Sequence, residues 1–203
     1  MKYFFNMNVN YDYVIIDLDN TLIDENIYLY SAFTEISMQS KDSQYKLDWI
    51  WTRFLTIGRN NLITDYCNHF NLYDKLETYL DILRNVKIDL KIFKKVENFI
   101  SKFNSKIFIV TNGNVTQQKN KIKNIKFQFR YSVIYASEFE KPKPFLNCFS
   151  DTLKPEDKVL IVGDNIIDYK FAKNLKSDFV HVKFIRNMDG FVIHDTIKLD
   201  LIK

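Results

Sequence analysis

Tyr13-Val14-Ile15-Ile16-Asp17-Leu18-Asp19-Asn20-Thr21 is the stretch on which the reading of this chain turns. A strand with one wet face alternates apolar and polar residues; here an aromatic and three β-branched side chains follow without a break. That pattern belongs to a central strand covered on both faces, the situation of a parallel sheet. The run ends in two carboxylates separated by a single leucine, so the strand's carboxyl end carries charge that a core does not accept. Fold and chemistry therefore meet at one point.

Working outward, three more runs have the same character, at residues 106–111, 131–136 and 158–163, and a weaker fifth covers 178–184. Between them the apolar spacing changes to the helical period, at 89–103 (Leu90, Phe93, Val96, Phe99, Ile100, Phe103), 115–126, 144–153 and 166–175. Strands alternating with helices predict parallel pairing with right-handed crossovers, a doubly wound α/β sandwich of three layers. The alternation lapses once. From about residue 24 to 87 no strand-like run occurs, and Leu29, Phe33, Ile36 and then Leu47, Ile50, Trp51, Phe54 recur at helical spacing. A crossover needs only about a dozen residues, so these predict an inserted helical subdomain. The division is residues 1–23 and 88–203 for the sheet domain and 24–87 for the insertion, with residues 191–203 as a possible edge strand.

Composition agrees. The 203 residues are 46% hydrophobic, 27% charged and 16% aromatic, enough for a folded core and inconsistent with disorder or a fibre. Four glycines and three prolines are few for an all-β fold of tight turns. The net charge of +4 is concentrated in Lys119, Lys121, Lys123, Lys126 and Arg130, with no acid among them. On a helix such a run reads as a solvated face, so no nucleic-acid partner is expected. Cys67 and Cys148 sit among apolar neighbours and make neither a disulfide framework nor a zinc site. With no signal-peptide pattern in the first ten residues and no apolar run of about 18 residues, the expectation is a cytoplasmic protein with no membrane partner.

In an open parallel sheet, ligands meet the carboxyl ends of the strands. In this chain those ends read Asp17-Leu18-Asp19-Asn20-Thr21, Thr111-Asn112-Gly113-Asn114, Glu140-Lys141-Pro142-Lys143-Pro144 and Gly163-Asp164-Asn165-Ile166-Ile167-Asp168. Asp17, Asp19 and Asp164 brought together repel unless they share a cation, and hard oxygen ligands favour Mg²⁺. A Thr111 hydroxyl, nearby backbone N–H groups and the Lys141 ammonium add what a dianionic phosphate needs. Gly113 permits close backbone approach, and the prolines flanking Lys141 stiffen its loop.

With these residues in view, Asp17-Leu18-Asp19-Asn20-Thr21 resembles the DxDx[TV] signature of the haloacid dehalogenase-like hydrolases. Thr111, Lys141 in its Lys-Pro-x-Pro setting, and Gly163-Asp164 with Asp168 resemble the family's other three motifs, in the family's order. The resemblance implies a Rossmann-like core with a helical cap inserted after the first strand. It also implies phosphoryl transfer through an aspartyl-phosphate. Asp17 would be nucleophile and Mg²⁺ ligand. Asp19 would be acid and then base, its backbone carbonyl touching the metal. Thr111, Asn112 and Gly113 would hold the phosphoryl group, Lys141 would offset charge, Asp164 would complete the metal shell, and Asp168 would support it from behind. Thr21 would shape the loop. Two positions depart from the pattern: Leu175-Lys176 stands where Ala-Gly is usual, and Lys143 replaces a residue that is often acidic.

Asp19 is the residue that phosphatases and mutases of this family have and dehalogenases do not need. The expectation is a phosphatase acting on a small phosphate monoester such as a sugar phosphate. A phosphomutase would use the same residues, and a non-catalytic phosphate-binding protein would keep the fold without turnover. A receiver-like signalling domain has a similar acid cluster, but its acids lie on separate strands and no insertion follows the first. Arg53, Arg59, Lys46, Trp49 and Tyr30 of the insertion are candidates to line a pocket, with no role assigned. Oligomeric state is not legible.

Overall fold

The computed structural model describes residues 10–136, 153–154 and 156–202. Five parallel strands, β1 (Tyr13–Ile16), β2 (Lys106–Thr111), β3 (Ser132–Tyr135), β4 (Val159–Gly163) and β5 (Asp178–Lys183), are joined at the edge by an antiparallel β6 (Lys198–Ile202). The order across the sheet is β3-β2-β1-β4-β5-β6, so β1 is central, paired with β2 on one side and β4 on the other.

The two-residue period of a strand sorts its side chains into two cores. Val14, Ile16, Ile107, Ile109, Leu160, Val162, Val180 and Val182 face one layer of helices. Tyr13, Ile15, Phe108, Val110, Ile161 and Phe179 face the other, where Phe171 and Ala172 meet them. All four β1 residues are buried, which is why the strand reads as an unbroken apolar run. The first core is closed by α5 (Lys94–Ile100), through Val96, Phe99 and Ile100, and by α6 (Val115–Lys123), through Ile122; the second by α7 (Ile166–Leu175).

Between β1 and β2 lie α1 (Glu25–Ser37), α2 (Ser43–Ile57), α3 (Leu62–His69), a 3₁₀ turn at Tyr73–Lys75 and α4 (Leu76–Asn85). Their interior is aromatic: Trp51 packs on Phe33 and Phe54, and Tyr66 on Phe70 and Tyr79. Leu29, Phe33, Ile36, Leu47, Ile50 and Trp51 are all buried. Cys67 packs there as a small apolar group.

A loop between β5 and β6 ties these helices to the sheet. Asp24 caps α1 by accepting from the Asn26 N–H, and also accepts from Arg186 Nη1 at 2.7 Å and the Val192 N–H at 2.7 Å. Arg186 Nη2 reaches Asn20 Oδ1 at 2.6 Å. Trp51 donates to the Asp189 carbonyl at 3.0 Å and stacks on Phe191 with centroids 5.5 Å apart.

Most predicted elements form near their expected bounds, with one difference. The helix expected over 89–103 forms only over Lys94–Ile100, because the residues before it bond elsewhere: the Leu90 N–H goes to the Asn124 carbonyl and the Phe93 N–H to the Leu22 carbonyl. The possible edge strand at the C-terminus forms as β6. Lys141, Lys143, Cys148 and nearly all of the helix expected at 144–153 lie outside the described residues. No helix among the described residues is long and apolar enough to cross a membrane.

Candidate active site

Asp17, Thr111 and Asp164 stand where a strand runs out. Asp17 follows β1, its N–H donating to the Val162 carbonyl at 3.0 Å, so the neighbouring strand holds its backbone in register. Thr111 closes β2 and is buried. Gly163 closes β4, Asp164 follows it, and Asp168 sits in the first turn of α7. Asn165 caps that helix, its side chain accepting from the Ile167 and Asp168 N–H groups. His181 Nε2 meets the Asp164 carbonyl oxygen at 2.9 Å from the adjacent strand.

Carboxylate oxygens of Asp17, Asp164 and Asp168 all lie within 4.8 Å of one another. Three hard, anionic donors at that spacing fit a divalent cation that takes oxygen ligands, as Mg²⁺ does. Sequence reasoning set Asp168 behind the metal and grouped Asp19 with Asp17 and Asp164; the structure places Asp168 in the acid cluster and commits the Asp19 side chain elsewhere. The closeness of Asp168 is bought at Gly163, where a Cβ would stand 2.3 Å from the Asp168 Cβ.

Asp19 is bound from α6. Lys121 Nζ donates to both of its carboxylate oxygens at 2.8 Å, and Gln118 Nε2 donates to Oδ2 at 3.0 Å. Lys121 also reaches Glu25 Oε1 at 3.0 Å, and that oxygen accepts from Arg59 Nη1 at 2.7 Å. A chain of alternating charge thus runs from Asp19 through Lys121 and Glu25 to Arg59, on the loop between α2 and α3. The Lys121 side chain is 0% exposed and that of Arg59 54%.

Burial raises the Asp19 carboxyl above the ordinary range, and the Glu25 carboxylate adds to it; Lys121 and Gln118 oppose but do not cancel the rise. For Glu25 burial pushes upward too, but Lys121 and Arg59 outweigh it and hold the carboxyl well below its usual value. Burial pushes the Lys121 ammonium down, and the two carboxylates more than restore it, so it stays charged. Arg59 is raised chiefly by Glu25, and Asp19 and Asp17 contribute, which places it in the field of the site.

Thr111, Asn112 and Gly113 line the end of β2, where Gly113 takes φ +115° and Gln118 packs against it. Asn114 then caps α6 by accepting from the Gln117 N–H. Asn20, with φ 59°, makes the left-handed turn of the loop after Asp19.

Sequence reasoning missed Lys121, Gln118 and Glu25, and left Arg59 without a role. It read the basic run as a solvated face. That holds for Lys119, Lys123, Lys126 and Arg130, which are exposed, and fails for Lys121. The available signal was Gln118 and Lys121 three apart, on one face of a helix that opens at a strand end.

Among known proteins, the family described as haloacid dehalogenase-like hydrolase matches residues 14–182. Solved structures with the same fold include YfnB of Bacillus subtilis, described as a HAD-hydrolase bound to magnesium, at 17% identity and TM-score 0.56, covering 84% of this chain and 86% of that one. A Clostridium difficile protein described as a phosphatase aligns at 19% identity and TM-score 0.56, covering 90% and 87%. The L-2-haloacid dehalogenase of Xanthobacter autotrophicus aligns at 14% identity and TM-score 0.53, covering 88% and 80%. No curated protein matches the chain.

Proposed function

Because the chain belongs to the haloacid dehalogenase-like hydrolases, we propose that it is a Mg²⁺-dependent phosphatase hydrolysing a small phosphate monoester through an aspartyl-phosphate on Asp17. The observation that carries this reading is Asp19. It is a second carboxyl group two residues beyond the nucleophile, fixed by Lys121 and Gln118 and raised by burial in the direction a proton donor needs. Displacing halide from carbon has no use for such a group; expelling an alkoxide from phosphorus does.

Asp17 attacks phosphorus as the bond to the leaving oxygen breaks, and the departing oxygen takes the proton of Asp19. A water then attacks the phosphoryl-aspartate, passes a proton to the Asp19 carboxylate and frees Asp17 with inorganic phosphate. Thr111 and the Asn112–Gly113 backbone hold the phosphoryl oxygens, and Lys141 offsets their charge. Asp17, Asp164 and the Asp19 carbonyl would hold Mg²⁺, with Asp168 beside them; when bound, the ion supplies charge neutralisation at the phosphate. The helices of residues 24–87 act as the cap over this mouth, with Arg59 its contact to the site. The partner is a small phosphate ester and the setting cytoplasmic.

The test is inorganic phosphate release from a panel of sugar phosphates, nucleotides and an aryl phosphate, with Mg²⁺ and with chelator. Chelator-sensitive release that Asp17→Asn abolishes is the expected result. An active Asp17→Asn protein overturns the reading, and phosphoryl exchange between sugar phosphates without net release turns it to a mutase.

A further inference from the structure

Lys121 is the most unusual residue in the fold. A lysine on a nine-residue surface helix normally keeps its ammonium in water at no cost, whereas complete burial carries a desolvation penalty that only paired charges offset. Here all three ammonium hydrogens have acceptors: two on Asp19 and one on Glu25. The Tyr28 ring lies 5.1 Å from the nitrogen, adding a cation–π contact. Tyr28 is held in turn by Asn120, which donates to its hydroxyl, and by the Leu83 and Arg84 carbonyls that accept from it. The ammonium is therefore fixed from every side and cannot follow a moving partner.

The consequence falls on Asp19. A carboxylate on a loop has two free torsions, and a single hydrogen bond leaves both soft. Two contacts from Lys121 and a third from Gln118, one helical turn earlier, leave one orientation. We propose that Lys121 is a positioning residue for the proton-transfer step: its ammonium, which touches both oxygens of Asp19, keeps the carboxyl group in place as it gives a proton to the leaving oxygen and takes one back from water. This rests on the phosphatase reading above and adds to it a residue outside the four strand-end motifs.

A cation that merely neutralised Asp19 and Glu25 would, when removed, slow all substrates alike. A positioning residue for an acid slows only those whose leaving group needs the proton. The experiment is phosphate release from p-nitrophenyl phosphate, whose phenolate leaves unaided, and from glycerol 2-phosphate, whose alkoxide does not. The same preparations of wild type, Lys121→Met, Lys121→Arg and Gln118→Leu are compared. The ratio of the two kcat/KM values in one preparation is independent of how much protein has folded.

Lys121→Met is expected to lower alkyl-ester hydrolysis on the order of 10²-fold, the usual contribution of a placed general acid, and aryl-ester hydrolysis by less than about tenfold. Lys121→Arg should recover part of the ratio, and Gln118→Leu should move it the same way by less. In an Asp19→Ala background Lys121→Met should leave the ratio unchanged. Equal losses on both esters, or a further fall of the ratio without Asp19, overturn the positioning role while the phosphatase stands. A wild-type protein that releases phosphate from neither ester, nor from the wider panel, overturns the functional reading and this inference with it.

Discussion

Gly163→Ala puts the geometry of the acid cluster under direct strain. An added Cβ at Gly163 would lie 2.3 Å from the Cβ of Asp168, 2.3 Å from its Oδ2 and 2.4 Å from its Cγ. Carbon atoms in contact settle at about 3.5–4.0 Å, so more than an ångström must be found. Rotating the Asp168 side chain does not find it, because the clash includes the Cβ, which moves only with the backbone. The first turn of α7 has to shift away from β4, against the Asn165 cap that holds the Ile167 and Asp168 N–H groups. Overpacking of this kind costs about 1–3 kcal/mol. At roughly 2–4 °C per kcal/mol for a chain of this size, that lowers the melting temperature by about 2–12 °C. The same shift carries Asp168 about 1 Å from Asp17 and Asp164, and a misplacement of that size costs about 10²-fold in rate.

The assays are thermal melting by circular dichroism and the Mg²⁺ concentration needed for half-maximal phosphate release. Gly58→Ala is the control: its φ of 81° and ψ of −165° suit glycine alone, so the substitution costs about 1–3 kcal/mol, yet it meets no atom within 4 Å. Both variants should melt early, and only Gly163→Ala should need more Mg²⁺. A Gly163→Ala protein that melts with the wild type refutes the packing argument. One that melts early with an unchanged Mg²⁺ requirement refutes the place of Asp168 at the metal.

Asp24→Ala should cost about 1–3 kcal/mol in urea denaturation, because it leaves the buried Val192 N–H without its acceptor and removes one contact of the Arg186 guanidinium, which keeps Asn20 Oδ1 and the Gly190 carbonyl. Lys176→Gly should stabilise by about 1 kcal/mol in the same assay: Lys176 ends α7 with φ 52°, the left-handed conformation in which a Cβ is strained, at the position where the family pattern has glycine. Tyr66→Phe should be neutral or stabilising by up to about 1 kcal/mol, since the Tyr66 hydroxyl is buried with no hydrogen-bond partner among the described residues.

What the sequence disclosed and what it hid follow from how each part is encoded. β1 was legible because burial on both faces writes itself as an unbroken apolar run. The helix at Ile166–Leu175 kept its expected ends because Asn165 starts it with a side-chain cap. Asp17, Thr111 and Asp164 were legible as polar residues at the ends of apolar strands. Lys121 was not, because the inward face of α6 is made of Gln117, Gln118, Lys121 and Ile122, and apolar periodicity cannot find a buried face that is mostly polar. Nor was the Asp24–Arg186 junction, whose partners are separated by 162 residues and bear no local mark.

The spacing of two between Asp17 and Asp19 has a geometric reason. Val14, Ile16 and Leu18 pack in one core and Tyr13 and Ile15 in the other, so the strand's alternation continues through Leu18 and puts Asp17 on the face of Tyr13 and Ile15. Beyond Asp17 the chain bends at Leu18, whose carbonyl accepts from the Leu22 and Ile23 N–H groups, and Asp19 comes within reach of α6 instead of joining the Asp17–Asp164–Asp168 cluster. A spacing of one would bury the second acid with Leu18; a spacing of three would place it at the left-handed turn of Asn20. Two is the interval that keeps Asp17 among the clustered acids and Asp19, the proton donor of the proposed reaction, outside them. Lys121, Glu25 and Arg59 then surround Asp19 with charges of the chain's own, apart from the Asp17–Asp164–Asp168 cluster.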